Sequence, residues 1–218
     1  MSIPLDTSFD ARPGEAIEVA PGIVRITADN SGPFTFYGTN SYLVGTRALV
    51  LVDPGPDDDR HLEALLRAIG GRPVEAILVT HTHLDHTGLT ARLKAALSAP
   101  VLAEGPHRAA RLLHCGETNG LEGAGDMTFR PDRAVSDGET LAFEAGTFEA
   151  IATPGHAANH MAFALPERGV LFSGDHVMGW STTIVAPPEG SMRDYMRSLD
   201  KLMGRSEGLY LSGHGGPI

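Results

Sequence analysis

Blocks of apolar and polar positions along the chain predict strands and helices in alternation. Early runs of β-branched and aliphatic residues between glycine and proline breaks predict strands at residues 24–27, 41–44 and 48–52. The segment "DDDRHLEALLRAIGG" then predicts an amphipathic helix that ends at a glycine pair, with His61 facing solvent. The apolar face of this helix would consist of Leu62, Leu65, Leu66 and Ile69.

The later part of the chain continues this alternation. "VEAILVT" predicts a buried strand and "GLTARLKAALS" a second helix, and "HRAARLLHCGE" is helix-like too, with Cys115 as a buried or half-buried side chain. Further strands are predicted at "TFEAIAT", "HMAFAL", "GVLFSG" and "LYLSG", and a third helix at "SMRDYMRSLDKLM". This order indicates a layered α/β protein, although a doubly wound sheet would show the same alternation.

The turn "LVTHTHLDHTG" carries an unusual concentration of polar side chains. His81, His83, Asp85 and His86 follow a buried strand and precede a helix, at the end of a strand where α/β sheets hold ligands. A tight loop with this spacing can aim two imidazoles at one metal ion and a carboxylate with an imidazole at a second. A solvated polar loop would account for one or two histidines, but not for this set.

Other predicted strands also end on potential metal ligands. "IATPGHAANH" contains His156 and His160, "LFSGDH" contains Asp175, and "LYLSGHGG" contains His214. Each of these residues alone is typical of a structural histidine or a turn aspartate. Together with the histidine-rich turn they supply the nitrogen and oxygen donors that suit a pair of first-row divalent ions. His176 would point away from this site if the strand is still extended there.

Composition limits the possible functions. The chain has 218 residues, 42% of them hydrophobic, which predicts one globular domain over residues 1–218. A formal net charge of −10 disfavours binding to nucleic acid or anionic membranes. The single cysteine excludes an internal disulfide, and the N-terminus "MSIPLDTSFDARPG" lacks the features of a secretory signal. No apolar run approaches the roughly 20 residues of a membrane span, so we expect a cytoplasmic location.

The ligand motifs carry a family resemblance. "HTHLDH", "TPGH", "GD" and "GHG", in this order and approximate spacing, resemble the metallo-beta-lactamase-fold hydrolases. The resemblance implies a four-layer αββα sandwich with a two-metal site. Of the implied metal ligands, one ion would be held by His81, His83 and His156, the other by Asp85, His86 and His214, with Asp175 bridging them.

One further motif concerns the surroundings of the metals. "LVDPG" resembles the first motif of the superfamily, in which Asp53 would orient the ligand loop through hydrogen bonds. An aspartate that simply ends a strand in a Pro-Gly turn is an almost equally good interpretation of Asp53.

A narrower resemblance runs from Gly38 to the last residue. "GTNSYLVG", "DGETL", "TPGHAANHMAF", "STTI" and "MRDYMRSLDKL" resemble the group called beta-lactamase-like protein 2, some members of which cleave single-stranded RNA. In that group a winged-helix-like extension follows the metal domain. This chain stops four residues after His214, as either a fragment or a member without the extension, and in both cases the resemblance gives less support to RNA cleavage. In the motif pattern of the best-known dizinc beta-lactamases, a cysteine stands at the position of Asp175. Because this chain has aspartate there, beta-lactam hydrolysis is disfavoured.

The sequence therefore predicts a binuclear metal-dependent hydrolase that acts on a small ester, thioester or lactone. Two zinc ions, with iron or manganese as possible substitutes, would supply a bridging hydroxide at neutral pH. Asp85 would bind metal and transfer a proton. His160 would either protonate the leaving group as a general acid or hydrogen-bond a metal ligand.

Three alternatives to this function stay open. The first is an endoribonuclease, favoured by the narrower resemblance. The second is a mononuclear iron persulfide dioxygenase, because some superfamily members with this motif set bind one iron. The third is a binding module without activity, which is weak because all seven ligand positions are filled.

Overall fold

The computed structural model describes residues 5–121 and 123–218. Residues 1–4 lie outside the described residues. They are the start of "MSIPLDTSFDARPG", the N-terminal stretch that contributed to the prediction of a cytoplasmic location. The helices are α1 (Asp59–Ile69), α2 (Leu84–Thr87), α3 (Thr90–Leu97) and α4 (Met192–Met203), with a 3₁₀ turn at Pro166–Arg168. The strands are β1 (Ala16–Ala20), β2 (Ile23–Thr27), β3 (Asn40–Val44), β4 (Leu49–Val52), β5 (Val74–Leu78), β6 (Val101–Ala103), β7 (Arg133–Ala134), β8 (Thr140–Phe143), β9 (Gly146–Ala152), β10 (Met161–Leu165), β11 (Val170–Gly174) and β12 (Leu209–Ser212).

The strands form two sheets. The first contains β1 to β7 in chain order, and the second has the order β12-β11-β10-β9-β8. In the first sheet β1 to β4 pair antiparallel, whereas β4 to β7 pair parallel. In the second sheet β8 to β11 pair antiparallel, and β12 runs parallel to β11. The mixture of pairings distinguishes this fold from an all-parallel doubly wound sheet.

Three apolar layers separate the sheets and helices. Between the two sheets lies the largest core, which includes Val50, Phe148, Phe163 and Phe172. A second core lies between the first sheet and helices α1 and α3, and a third, smaller one lies between the second sheet and α4. Two sheets with helices on both outer faces make four layers, which confirms the predicted αββα sandwich.

Strands in the middle of this sandwich are buried on both faces. In β10, Phe163 contributes to the core between the sheets, while Ala162 and Ala164 face the core under α4. Alternate residues of a strand point to opposite faces, so apolar residues are needed at every position. This explains why "HMAFAL" and "GVLFSG" are continuous apolar runs, and their prediction as strands is confirmed by β10 and β11.

Helix α1 begins and ends where the sequence predicts, but its buried face is rotated. The Asp58 carboxylate accepts a hydrogen bond from the His61 amide, and Gly70 ends the helix in the left-handed conformation at φ 61°. The side chains that face the core are His61, Ala64, Leu65 and Ile69.

The prediction that His61 faces solvent is wrong. Its side chain is 2% exposed, and its Nε2 atom lies 2.9 Å from the Ser41 hydroxyl. The ring packs against Gly55, where a β-carbon would approach it to 2.5 Å. His61 occupies the inward position one helical turn before Leu65, and the Ser41 hydroxyl provides the polar partner that allows its burial.

The helix predicted for "HRAARLLHCGE" does not form. This segment has no regular secondary structure; Leu112 is 90% exposed and Cys115 is also exposed, contrary to prediction. The segment is held instead by Arg111, which pairs with Glu117, and by the Ala110 amide, which bonds to the Pro188 carbonyl. Among the described helices, none has the length and apolarity needed to cross a membrane.

Burial of His61 predicts acid-sensitive folding. Burial lowers the pKa of the His61 imidazole from 6.5 to about 4, so the folded state favours the neutral ring. The contribution of the neutral ring to stability is complete above pH 6.5 and is lost as the pH falls towards 4. Urea unfolding at pH 7 and pH 4 should show an excess loss of about 3 kcal/mol in the unmodified protein relative to His61→Gln. Equal losses in the two proteins would contradict this account.

Candidate metal centre

The predicted ligands are brought together because five strands end at one edge of the sandwich. In the first sheet, β4 and β5 run parallel and lead into Asp53 and the histidine-rich turn. In the second sheet, β9, β11 and β12 run in the same direction and lead into His156, Asp175 and His214. The carboxyl ends of all five strands therefore face a common cleft, as expected for ligand sites in α/β folds.

Hydrogen bonds between the sheets fix this edge. The Asn40 amide donates to the Gly213 carbonyl at 2.8 Å, and the Asn40 side chain donates to the carbonyls of Ser212 and Gly215. The Tyr42 hydroxyl also donates to the Ser212 carbonyl, at 2.7 Å. These bonds connect the start of β3 to the loop that carries His214, so the "GTNSYLVG" motif positions a loop far away in the sequence.

Three imidazoles form the first group of potential metal donors. His81 Nε2 and His156 Nε2 each lie 3.0 Å from His83 Nδ1. All three side chains are buried, and burial lowers the pKa of His81 well below 6.5 and that of His83 to about 3. These two rings are therefore neutral at pH 7, which leaves nitrogen lone pairs available for a metal ion.

A carboxylate-rich group lies beside the first. Asp85 Oδ2 is 3.4 Å from both His86 Nε2 and His214 Nε2. Asp175 contacts both groups: its Oδ2 lies 3.3 Å from His214 and 3.6 Å from His156, and its Oδ1 lies 3.4 Å from His86. The Asp175 carboxylate is thus placed between the two groups.

The outer ring nitrogens determine which nitrogen faces the cleft. His156 Nδ1 lies 2.7 Å from the Ile184 carbonyl and His214 Nδ1 lies 3.2 Å from the Gly38 carbonyl. A carbonyl can only accept a hydrogen bond, so Nδ1 carries the proton in both rings. In a neutral ring Nε2 then has a lone pair directed at the cleft, as is usual for metal-binding histidines.

Asp53 supports the histidine-rich turn from behind. Its carboxylate accepts from the Thr80 amide at 2.7 Å and the Thr80 hydroxyl at 2.8 Å, and it lies 2.9 Å from His86 Nδ1. Asp53 adopts φ 54°, a conformation that is uncommon for residues other than glycine. This backbone conformation directs the Asp53 carboxylate towards the histidine-rich turn that follows β5.

Thr39 is a contact residue that the sequence analysis did not identify. Its hydroxyl lies 2.9 Å from Asp85 Oδ2, and the Asn30 side chain donates to the same hydroxyl. The hydroxyl can therefore donate its own proton to the carboxylate. The only sequence signal for this role was the family motif "GTNSYLVG", which indicates relatedness and not contact.

The negative charge of Asp85 and Asp175 has to be balanced, either by protons on the neighbouring imidazoles or by a metal ion. Burial opposes ionisation of Asp175, but His214 and His86 hold its pKa well below 3.8. Burial likewise disfavours the charged form of His214, yet Asp175 and Asp85 raise its pKa to about 10. A divalent ion can replace the protons on these imidazoles and neutralise the same carboxylates.

Buried polar atoms without hydrogen-bond partners give a direct test of whether a metal fits. Among the described residues of the two donor groups, His86 Nε2 and Asp175 Oδ1 face each other and are buried with no such partner. Three sets have donor atoms within 4.8 Å of one another: His81, His83 and His156; His81, His86 and Asp175; Asp85, His86 and His214. Imidazole and carboxylate donors at this spacing fit divalent metal ions.

His160 and His176 lie behind this cluster. His160 Nδ1 is 2.8 Å from the Thr153 hydroxyl, and His160 Nε2 accepts a hydrogen bond from the Asp175 amide at 3.1 Å. The His176 ring is buried, with its centroid 5.8 Å from that of His160. Neither side chain is in the three sets of potential metal donors.

An apolar cleft opens next to the donors. Its volume is about 270 Å³, and its floor includes His83, Asp85, His156, Asp175 and His214. Its walls are formed by Phe34, Leu84, Leu121, Ala124, Met178 and Ile184. A substrate in this cleft would contact both the potential metal ligands and apolar side chains.

Known proteins share both sequence and fold with this chain. An atrochrysone carboxyl ACP thioesterase from Aspergillus fumigatus is 33% identical over 207 residues, covering 92% of this chain and 58% of that protein. A beta-lactamase-like protein 2 homolog from Caenorhabditis elegans is 33% identical over 210 residues, covering 92% of this chain and 64% of that protein. The chain thus spans less than two thirds of either relative. The crystal structure of TTHA1623 in a di-iron-bound form has a TM-score of 0.66 and 30% identity, covering 89% of this chain and 93% of that one.

The family profile described as the metallo-beta-lactamase superfamily matches residues 34–214. This range contains every side chain of the three potential metal sets, and both resemblances found in the sequence are confirmed. The chain therefore belongs to the metallo-beta-lactamase superfamily.

Proposed function

We propose that the chain is a binuclear metal-dependent hydrolase. One divalent ion would be held by His81, His83 and His156 and a second by Asp85, His86 and His214, with Asp175 placed to serve both. The observation that carries this proposal is the position of the Asp175 carboxylate, within 3.9 Å of imidazoles from both groups. A single-metal site would leave one of the two donor groups empty, so we favour the two-metal hydrolase and keep the mononuclear iron dioxygenase as an alternative.

The chemistry combines the metal pair with groups of the chain itself. When bound, two divalent ions lower the pKa of a water molecule towards neutrality and polarise the substrate oxygen. Asp85 lies at the cleft surface, with 26% of its side chain exposed, and accepts or donates a proton there. Thr39 and His214 hold the Asp85 carboxylate in place.

We infer that the substrate is a small ester, thioester or lactone. No lysine or arginine lines the described part of the cleft, so the chain offers no cation for a phosphate group apart from the metals. The thioesterase relative named above supports the same substrate class.

An endoribonuclease is the alternative, supported by similarity to the beta-lactamase-like protein 2 homolog. Against it, the arginines of the basic segment near the cleft are neutralised, because Arg108 pairs with Glu104 and Arg111 with Glu117. The net charge of −10 also opposes the approach of RNA.

The identity of the metal follows from competition among ions. Imidazole and carboxylate ligands accept zinc, iron and manganese, and the TTHA1623 structure contains two irons. We propose zinc as the resident ion, because a group of three imidazole donors suits it well.

Metal analysis tests the site. Purified protein loaded with Zn²⁺ and passed through a desalting column should retain two ions per chain by plasma mass spectrometry. His83→Ala should retain fewer ions, because it removes one of the three imidazole donors in the first group. Asp53→Asn should bind roughly 10- to 100-fold more weakly, because it weakens the support of His86. The exposed His114 provides the control, and His114→Ala should retain both ions. Equal metal content in all four proteins would refute the assignment.

A substrate panel tests the reaction. The zinc-loaded protein should hydrolyse p-nitrophenyl esters, thioesters of N-acetylcysteamine or γ-butyrolactone, and the rate should fall about a hundredfold or more in His83→Ala. Single-stranded RNA should stay intact, and a persulfide should cause no oxygen consumption. Cleavage of RNA with no turnover of the acyl substrates would replace this proposal by the endoribonuclease.

We also infer that His160 is a positioning residue for Asp175 and not a general acid. Its Nε2 accepts the Asp175 amide proton, so Nδ1 carries the ring hydrogen and donates it to Thr153. Burial and neighbouring His176 lower its pKa well below 6.5, and only 1% of the residue is exposed. A neutral, enclosed imidazole with both nitrogens occupied cannot protonate a leaving group.

Substitution of His160 separates these roles. His160→Ala should lower metal affinity and kcat together, and the pH profile of kcat should keep its shape. His160→Gln, which retains a hydrogen-bond acceptor, should recover part of both losses. If His160→Ala keeps both metal ions and loses the alkaline limb of the kcat profile, His160 is the general acid after all.

A further inference from the structure

We propose that the cleft beside the metal centre binds an uncharged, apolar acyl group, so that the enzyme selects acyl chains longer than acetyl. This inference rests on the proposed hydrolase function and deepens it. Phe34, Leu84 and Ile184 all line the cleft and have exposed fractions of 64%, 45% and 38%. Isolated exposed apolar residues are common on protein surfaces, but here three of them from separate parts of the chain line the same cleft as the donors.

The walls of the cleft come from three different parts of the fold. Phe34 precedes β3, Leu84 begins α2 directly after His83, and Ile184 follows β11. The lining is completed on its apolar side by Leu121, Ala124 and Met178. Since the charged groups in the described lining are the potential metal ligands, an occupant away from the metals gains most by being apolar.

Hydrogen bonds to the metal centre hold these walls in place. The Ile184 carbonyl accepts the His156 Nδ1 proton at 2.7 Å, and the Thr183 hydroxyl donates to the Asp175 carbonyl. On the opposite side, the Leu84 amide donates to the Ala124 carbonyl at 2.8 Å. The cleft is therefore preformed, which lowers the entropic cost of binding a substrate.

The size of the cleft favours binding of the acyl group of the substrate over binding of its leaving group. An apolar cavity of about 150 Å³ holds one benzene molecule. A cleft of about 270 Å³, part of which is taken by the reacting group, suits roughly six to ten further heavy atoms. The leaving group of a carrier thioester is larger and has to extend into solvent, whereas an acyl chain of this length fits entirely.

Kinetics with two substrate series test the proposal. With p-nitrophenyl esters from acetate to decanoate, kcat/KM should rise by about two- to fourfold per methylene and level off when the cleft is filled. The combined variant Phe34→Ser/Ile184→Ser should lose most of this dependence on chain length. Leu112→Ser removes an equally apolar side chain that is 90% exposed and outside the cleft lining, so it should keep the full dependence. In acetate esters with alkyl leaving groups of increasing length, kcat/KM should stay flat.

Binding of carboxylates gives a second readout that does not depend on turnover. Calorimetric titration of the zinc-loaded protein with acetate, butanoate, hexanoate and octanoate should show a dissociation constant that falls with chain length, and this fall should disappear in Phe34→Ser/Ile184→Ser. If no ester is hydrolysed but the carboxylate series shows this trend, the cleft assignment holds and the hydrolase proposal fails. If esters are hydrolysed with neither rate nor affinity depending on acyl length, or the dependence follows the leaving group, the cleft assignment is overturned and the hydrolase proposal stands.

Discussion

A buried carboxylate needs partners that stabilise its charge, and Asp175 has four imidazoles within 3.9 Å of its oxygens. Its backbone is fixed as well, because the amide donates to His160 and the carbonyl accepts from Thr183. These contacts leave the side chain little freedom to move. The two groups of donors share this one carboxylate, so the distance between them is set by the width of a single carboxyl group.

This arrangement exists only when both sheets are packed together. The histidine-rich turn belongs to the first sheet, whereas His156, Asp175 and His214 belong to the second. Packing of aromatic residues such as Phe148, Phe163 and Phe172 between the sheets therefore brings the donors to one edge. A metal ion bound by both sheets would in turn stabilise the folded state over the unfolded one. Folding and assembly of the site are thus a single process.

Much of this architecture could be predicted from the chain. Continuous apolar runs identified β5, β10 and β11, and the polar residues after them identified the donors. Periodicity gave less information about weakly buried elements: β7 has two residues, both exposed, and was not predicted. The orientation of α1 was also missed, because only a partner in space, the Ser41 hydroxyl, makes it favourable to bury His61.

The contacts that support the metal donors could not be predicted from sequence patterns, for a different reason. Asn40 and Tyr42 bond to carbonyls 170 residues or more away in the second sheet, and Thr39 contacts Asp85, which follows another strand of the same sheet. Such contacts depend on how separate strands and the two sheets are placed in space, and local spacing in the sequence contains no information about that placement. The donors themselves were recognisable because each follows its own strand directly.

Ile184 has two tasks in one residue: its carbonyl orients His156, and its side chain forms part of the cleft wall. Exchanging the side chain leaves the carbonyl where it is, whereas inserting or deleting a residue nearby would move the carbonyl and the imidazole together. Under the proposed function, single substitutions at this loop would alter substrate preference, while the length of the loop would be constrained by the hydrogen bond to His156. Divergence in specificity among proteins that keep this hydrogen bond is expected to occur through side-chain identity at fixed loop length.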